Sequence, residues 1–208
     1  MVTHTVHQFA EKVALVTDGA DPVGKAVALQ LALLGAFVTV GVRDSEDIQR
    51  TGLEEMMSLG TLAGVTVGDI STNERGSSLI DPVEERFGRL DLLVNCLEIG
   101  VGSTFSKIME RAVPLMKERP KARIVNFISN FSDAEAEDPL TEETRSFAET
   151  LGPNFKVNCV VSRTNFAAEV GSLVRAENAL SPKDAASVVV FLLSSESKAL
   201  NGQVLYVS

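Results

Sequence analysis

A loop of eight residues, Thr17-Asp-Gly-Ala-Asp-Pro-Val-Gly24, lies between an apolar run of strand length and a segment of helical period. Glycines in such a loop let the backbone turn tightly and approach a phosphate, whose charge is stabilised by the N–H groups of a helix N-terminus. The loop contains Gly19 and Gly24, and Thr17 ends the preceding run. Two glycines in such a loop are, taken alone, weak evidence for a phosphate site.

Other side chains that could do chemistry are few. Ser129 follows an apolar run, but no histidine accompanies it in the predicted core as a triad would require. His4 and His7 have the spacing of a metal pair, yet they have no cysteine or carboxylate nearby, so we expect no metal site. Cys96 and Cys159 both lie in apolar runs, which predicts buried, reduced thiols; a reactive Cys96 beside a helix N-terminus is the alternative.

Apolar runs of strand length alternate with segments of helical period along the chain, which predicts repeated strand–helix units. Runs that are apolar on both faces are typical of a parallel sheet covered by helices on both sides. We therefore predict an α/β fold with a doubly wound parallel sheet of about seven strands. The predicted strands are Val13–Thr17, Phe37–Val42, Gly64–Val67, Leu90–Asn95, Arg123–Ile128, Lys156–Val161 and Gln203–Val207.

Several predicted helices begin at recognisable signals. Asp138 precedes Pro139 and Ser181 precedes Pro182, and a capping side chain before a proline is typical of a helix start. Gly35 separates the first helix from the second strand. The predicted helices are Val23–Leu34, a less regular Asp47–Ser58, Asn73–Phe87, Phe105–Glu118, Pro139–Leu151 and Pro182–Ser194.

The chain length and charge limit the function classes. With 208 residues and 45% hydrophobic residues, the chain fits a single domain over residues 1–208, in which we expect residues 1–10 to be loosely held. The net charge of −9 disfavours nucleic acid and anionic membranes as partners. The N-terminus has no charged region followed by an apolar stretch, so we expect a cytoplasmic protein.

Beyond the loop, several segments together resemble the short-chain dehydrogenase/reductase family. Residues 68–70 resemble the passage after the family's third strand, and residues 84–95 the passage that leads to its Asn-Asn-Ala-Gly motif. Residues 121–129, 151–160 and 181–208 resemble the fifth strand, the sixth strand and the C-terminal unit. The resemblance covers almost the whole chain and is strongest to 3-oxoacyl-carrier-protein reductase-like members. It implies a Rossmann-type domain that binds a nicotinamide dinucleotide.

The family's loop reads Thr-Gly-x-x-x-Gly-x-Gly, and this chain departs from it. Asp18 and Pro22 occupy the positions of the first two glycines, and Gly19 lies one place late. A carboxylate about 4 Å from a diphosphate charge is repelled by roughly 4 kcal/mol at an effective dielectric near 20, before solvent reduces this. Pro22 offers no N–H. We therefore predict weak or absent cofactor binding, and we predict that Asp18→Gly with Pro22→Gly raises NADPH affinity by about tenfold to several thousandfold.

Further family positions concern the cofactor. After Asn95, the family's second Asn, Ala and Gly are replaced by Cys96, Leu97 and Glu98, so that a bulky acid enters a place beside the cofactor. Arg43 follows the second strand, which favours NADP over NAD if a nicotinamide binds; a solvated loop cation is the equal alternative. The resemblance assigns cofactor contacts to Thr17, Gly19, Gly24, Arg43, Asp69 and Asn95.

The family's catalytic tyrosine and lysine are missing. In the family, the tyrosine transfers the hydroxyl proton, the lysine lowers the tyrosine's pKa, a serine orients the carbonyl and an asparagine supports a proton relay. Ser129 matches the serine, whereas Asp133 and Glu137 align with the tyrosine and the lysine. The single tyrosine, Tyr206, falls in the last strand, where we expect a structural role.

The connections around this site are also short. The 34 residues from Asn95 to Ser129 (129 − 95) and the 29 from Ser129 to Asn158 (158 − 129) are fewer than the family uses. Gly100 is the nearest counterpart of the family's relay asparagine, and Ser162-Arg163 replaces its Pro-Gly after the sixth strand. Because the family assembles through helices in the two shortened connections, we expect any oligomer to use a different surface.

Two hypotheses follow from these departures. The first is a family member that has lost carbonyl reduction and serves as a binding, scaffold or regulatory partner, for which a related subunit is one candidate partner. The second is an NADP(H)-dependent oxidoreductase that uses another proton donor, such as water or Ser129.

Overall fold

The computed structural model describes residues 8–68, 78–98, 102–117, 119–129, 139–163, 166 and 180–208. Seven strands in these residues form one sheet in the order β3-β2-β1-β4-β5-β6-β7, and every neighbouring pair is parallel. This is the strand order of a Rossmann-type sheet with one more strand at its end, so the predicted fold is confirmed. The strands are β1 (Val13–Val16), β2 (Phe37–Val42), β3 (Ala63–Val67), β4 (Leu92–Glu98), β5 (Ala122–Ser129), β6 (Phe155–Ser162) and β7 (Val204–Val207).

Helices cover both faces of the sheet, and each face has its own apolar core. The described helices are α1 (Pro22–Leu33), α2 (Leu53–Ser58), α3 (Asp81–Phe87), α4 (Gly102–Lys117), α5 (Pro139–Thr150) and α6 (Pro182–Leu193), with short 3-10 helices at Ser45–Arg50 and Ser195–Ser197. Buried side chains of α1, α2 and α6 pack in the core of one face. Those of α3, α4 and α5 pack in the core of the other.

Most element boundaries agree with the sequence-based ones to within one or two residues. The predicted helix Asp47–Ser58 is instead a 3-10 turn followed by α2, because Gly52 between them adopts a left-handed φ of 73°. The predicted helix begins at Asn73, whereas α3 begins at Asp81 within the residues that the structure describes. Residues 73–77 are not among them. The strand β4 continues to Glu98, three residues beyond the predicted end.

The amino ends of the strands are fixed by buried polar contacts. The Asp91 carboxylate accepts the Val13 N–H at 3.0 Å and forms ion pairs with Lys12 at 3.2 Å and Arg89 at 3.3 Å. Phe9 is 4% exposed and donates its N–H to the Leu34 carbonyl, so it is held more firmly than the sequence suggests. Residues 1–7, which include His4 and His7, lie outside the description.

Candidate functional site

The candidate site lies where β1 and β4 are neighbours and the chain crosses from one half of the sheet to the other. Ligands of doubly wound sheets bind at such a point, beside the carboxyl ends of the strands. A cavity of about 20 Å³ lies here, which holds roughly one water molecule. Its described lining is formed by Asp18, Asp21, Cys96, Leu97, Phe127 and Ser129.

The loop between β1 and α1 satisfies its own backbone donors. The Asp18 carboxylate accepts the N–H groups of Ala20 and Asp21, both at 3.1 Å. The Asp21 carboxylate is the N-cap of α1 and accepts the N–H groups of Val23 at 2.8 Å and Gly24 at 3.0 Å. These are the donors that a helix N-terminus offers to an anion.

The remaining donors of the loop are also bonded within the chain. The Gly19 N–H donates to the Gly41 carbonyl at 2.7 Å, and the Lys25 N–H donates to the Asp21 carbonyl at 2.8 Å. Pro22 has no N–H, and it occupies the first turn of α1, where a helix needs none. Every backbone N–H from Gly19 to Lys25 therefore has an acceptor.

Gly19 and Gly24 are required by close packing. A Cβ on Gly24 would lie 1.9 Å from the Asp18 carbonyl oxygen and 3.2 Å from the Cys96 sulfur. A Cβ on Gly19 would lie 2.7 Å from the Val40 Cβ. Both positions therefore need glycine for the packing of the loop against the sheet, whether or not a cofactor binds.

Burial changes the protonation of two groups at the cavity. The pKa of Asp18 is raised mainly by burial, against which the N–H groups of Asp21 and Ala20 and the charge of Arg43 act. The pKa of the Cys96 thiol is raised well above its usual value, first by burial and then by the charges of Asp21 and Asp18. Cys96 is therefore a neutral, buried thiol, and the alternative of a reactive thiolate is not supported.

Because the folded state raises the pKa of Asp18, it binds a proton there more readily than the unfolded state does. Ionised Asp18 therefore lowers stability at neutral pH, and this loss disappears as the pH falls through the raised pKa. We expect Asp18→Asn, which keeps an acceptor for the Ala20 and Asp21 N–H groups, to raise the Tm at pH 7 by about 2–4 °C, the shift that ~1 kcal/mol gives in a chain of this size. The difference from wild type should shrink as the pH is lowered towards 4 in thermal denaturation series.

Asp184→Asn is the matched control, because it removes the same charge from an acid in the first turn of a helix. The pKa of Asp184 is lowered by hydrogen bonds from Ser181, so its ionised form stabilises the folded state above the unfolded pKa. This variant should lower the Tm at pH 7. Equal shifts in the same direction for both variants would contradict the assignment and indicate a net-charge effect.

Asn95, to which the resemblance assigns a cofactor contact, lies on the other face of the sheet. Its Nδ2 donates to Asn126 Oδ1 at 3.0 Å, and Asn126 Nδ2 donates to Thr144 Oγ1 at 2.8 Å. The Thr144 hydroxyl in turn donates to the Leu140 carbonyl at 2.7 Å. Asn95 is fully buried, so its side chain ties β4 to β5 and, through Asn126, to α5; its cofactor contact stays a prediction.

The structure places the other predicted site residues as follows. Thr17 is buried at the end of β1, and its Oγ1 accepts the Cys96 N–H at 3.2 Å. Arg43 is exposed after β2, near enough to lower the pKa of Asp18. Ser129 is paired in register with Glu98, of which only the backbone is described. Asp69, Gly100, Asp133 and Glu137 lie outside the described residues.

Asp21 was not predicted as a site residue. Its position immediately before Pro22 is the same signal that identified Ser181 before Pro182, where the structure confirms a capping box with Asp184. Asp18 and Pro22 occupy glycine positions of the family's motif, whereas Asp21 does not, so the motif gives no signal for Asp21. The cap signature would have revealed a carboxylate on the donors of α1.

In the described part of the chain, no three His, Cys, Asp or Glu side chains come together as metal ligands. No described helix has the length and apolarity that a membrane span requires. Cys96 and Cys159 are both buried, and they form no disulfide.

Comparisons with known proteins identify the family. The family model described as "short chain dehydrogenase" matches residues 12–113. NADPH-dependent reductase BacG of Bacillus subtilis is 22% identical, over 93% of this chain and 95% of the relative. Two subunits of (2S)-[(R)-hydroxy(phenyl)methyl]succinyl-CoA dehydrogenase of Thauera aromatica also match: BbsC is 28% identical over 94% of this chain and 92% of its own, and BbsD 26% over 94% of both.

The alignment with BbsC spans 232 positions although this chain has 208 residues, so parts of that relative have no counterpart here. Among solved structures, hydroxysteroid dehydrogenase from Escherichia coli has the same fold, with a TM-score of 0.82 at 23% identity over 96% of both chains. The chain therefore belongs to the short-chain dehydrogenase/reductase family.

Proposed function

We propose that this family member does not reduce carbonyls by the family's mechanism and serves instead as a binding, scaffold or regulatory partner. The observation that carries the proposal is the position of Tyr206, the only phenol in the chain. It is 58% exposed on the last strand of the sheet, whereas Ser129 lines the cavity at the end of β5.

The strand register separates Tyr206 from Ser129, which supports the proposal. Tyr206 pairs with Val161, which pairs with Ile128, the residue before Ser129. Neighbouring strands are about 4.8 Å apart, so two strand spacings, about 10 Å, separate Tyr206 from β5. Ile128 and Val161 pack in the core beneath α5, and because side chains alternate along a strand, Ser129 points to the opposite face. Proton transfer needs donor and acceptor within about 3.2 Å.

We propose a related subunit as the partner. BbsC and BbsD carry the names of two subunits of one dehydrogenase, and both are similar to this chain over most of their length. An assembly of two different family members would let one chain supply the chemistry that the other has lost. Because the two connections that the family uses for assembly are shortened here, we propose that the contact uses another surface. The two cysteines are buried and form no disulfide, which suits a reducing compartment such as the cytoplasm.

The experiment is a turnover assay of the purified chain. We expect no NADPH or NADH oxidation above background with ketone, aldehyde or acyl thioester substrates, because a positioned general acid contributes about 10²- to 10⁴-fold and Tyr206, the chain's one tyrosine, lies two strands away from Ser129. Ser129→Ala should change nothing, and folding of both proteins is checked by circular dichroism. A measurable rate that falls in Ser129→Ala would refute the loss of activity.

The same assay tests the regulatory role. The chain is added to a catalytically complete relative from the same organism, and the rate of that enzyme is compared with and without it. A change in rate or stability that saturates at a fixed molar ratio supports a subunit role. The absence of any change and of co-elution would contradict this partner.

An NADP(H)-dependent oxidoreductase with another proton donor is the second candidate. The observation in its favour is that Ser129 and Asp18 line one cavity, and burial raises the pKa of Asp18, so this carboxyl holds its proton more firmly than an exposed one. The name of BacG, an NADPH-dependent reductase, supports the cofactor. Turnover that is lost on Asp18→Asn would favour this candidate.

A further inference from the structure

We propose that Asp21, assisted by Asp18, excludes the family's dinucleotide cofactor, because its carboxylate occupies the backbone donors that the diphosphate needs. The inference rests on the proposed function only in taking the crevice beside α1 as the family's cofactor site. Lost binding and lost chemistry are separate properties, and the two are measured by different experiments.

The hydrogen bonds of the loop occupy the backbone donors that a diphosphate would need. A diphosphate at the start of α1 would need the N–H groups of Val23 and Gly24, which Asp21 already accepts at 2.8 and 3.0 Å. The N–H groups of Ala20 and Asp21 are likewise occupied, because the Asp18 carboxylate accepts both of them. Hydrogen bonds to carboxylates are charge-assisted and stronger than neutral ones, so a phosphate gains little by replacing them. The loop as it stands does not fit the cofactor.

The charges around the loop also oppose a diphosphate. A displaced carboxylate would stay within a few ångströms of the diphosphate, since only its side chain could turn away. The ionised groups that act on Asp18 are the Arg43 cation and the Asp47 carboxylate, and Asp18 and Asp21 both act on the neutral Cys96 thiol. Among the described residues, these interactions involve one cation and three carboxylates, and a diphosphate would add further negative charge.

The space beside the loop is small. The cavity between the loop, β4 and β5 has about 20 Å³, and the Cys96 sulfur would lie 3.2 Å from a Cβ at Gly24. The loop therefore packs against the sheet, and its Asp18 and Asp21 residues line the small cavity. Pro22 is not part of this barrier, because the first position of a helix needs no N–H.

Two substitutions of Asp21 separate its two effects. Asp21→Asn keeps the N-cap acceptor and removes the charge, since Asn caps helices about as well as Asp. Asp21→Gly removes both and costs helix stability only a few tenths of a kcal/mol. The first probe is inorganic diphosphate, which requires the loop alone, and the second is NADPH; both are followed by calorimetric titration.

We expect the affinity for diphosphate to increase in the order wild type, Asp21→Asn, Asp21→Gly. The glycine variant should bind about tenfold or more tightly than wild type, because it frees two hydrogen-bond donors and removes a like charge. Adding Asp18→Asn should increase the affinity further. NADPH affinity should change in the same order.

Asp184→Asn is the control for net charge, since it alters a first-turn carboxylate of α6 by the same amount. It should leave both affinities within about twofold of wild type. The inference is overturned if folded Asp21→Gly binds diphosphate no more tightly than wild type, if Asp184→Asn gives the same gain, or if wild type binds either probe at micromolar concentration. Turnover in a variant that has gained affinity would refute the proposed function and leave this inference intact, whereas NADPH-dependent turnover by the wild-type protein would overturn both.

Discussion

Replacing Gly24 with alanine is expected to cost at least about 4 kcal/mol of folding stability and to leave little folded protein. The added Cβ would lie 1.9 Å from the Asp18 carbonyl oxygen, and this oxygen belongs to the backbone of a loop held by its own hydrogen bonds. Relief of the contact requires α1 to move away from β1. A domain of this kind has about 5–15 kcal/mol of stability, so the loss is a large part of the total.

Helix propensity alone predicts that Gly24→Ala raises the folding stability, so a loss of stability would report the steric clash. Alanine in a helix is favoured over glycine by about 1 kcal/mol, so without the clash the substitution would stabilise α1. Gly64→Ala in β3 is the control, because its Cβ would meet only the end of the Arg86 side chain, at 3.3 Å. Its unfolding midpoint should stay within about 1 kcal/mol of wild type in urea titrations. A stable Gly24→Ala protein would show that the loop is not packed as described.

Gly24 also shows that a residue of a family motif can be required by packing alone. The third glycine of the motif allows the helix to pack closely against the strand. That requirement remains here, since the Asp18 carbonyl and the Cys96 sulfur both approach Gly24. The first two glycines of the motif allow a tight turn and let the backbone approach the pyrophosphate closely. In this chain Asp18 and Pro22 occupy these two positions. The retained glycine therefore supports the fold and says little about cofactor binding.

The fold could be predicted because its signals are local and repeated. Each strand is a short apolar run, and a capping side chain or a glycine marks several helix ends, as at Ser181 and Gly35. The break at Gly52 was not predictable from periodicity, since Asp47–Ser58 keeps a helical pattern across the turn. The longer β4 follows from pairing with β5 up to Glu98, which is a tertiary effect.

The site was harder to predict because its geometry depends on which face each side chain occupies. Asn95 and Cys96 are adjacent in sequence, yet Asn95 faces α5 and Cys96 faces α1, and only the second lies at the cavity. A motif transferred residue by residue does not contain this information. The loop's hydrogen bonds are likewise invisible in a comparison of motifs, because the carboxylate of Asp21 does not occupy a glycine position.

The sequence predicts that Asp18 and Pro22 weaken cofactor binding, whereas we propose Asp21 as the main barrier, and mutations can separate the two. Asp18→Gly with Pro22→Gly removes one carboxylate and restores one N–H, but Asp21 keeps the N–H groups of Val23 and Gly24. We therefore expect this double variant to gain only about tenfold in NADPH affinity, the lower end of the range that the sequence suggests. Adding Asp21→Gly should raise the gain to about a hundredfold or more, because two further donors and a second charge are released.

Three glycines lower stability through the entropy of the unfolded chain, by about 0.4–1 kcal/mol each, so affinities are compared by calorimetry at a temperature where circular dichroism shows folded protein. Carbonyl reduction should stay absent in the triple variant, since Tyr206 remains exposed on the far strand. Equal affinities of the double and triple variants would show that Asp21 is not the barrier. Unchanged affinity in both would move the barrier to Glu98, Arg163 or the shortened connections, because the loop would then offer free donors that the cofactor still cannot reach.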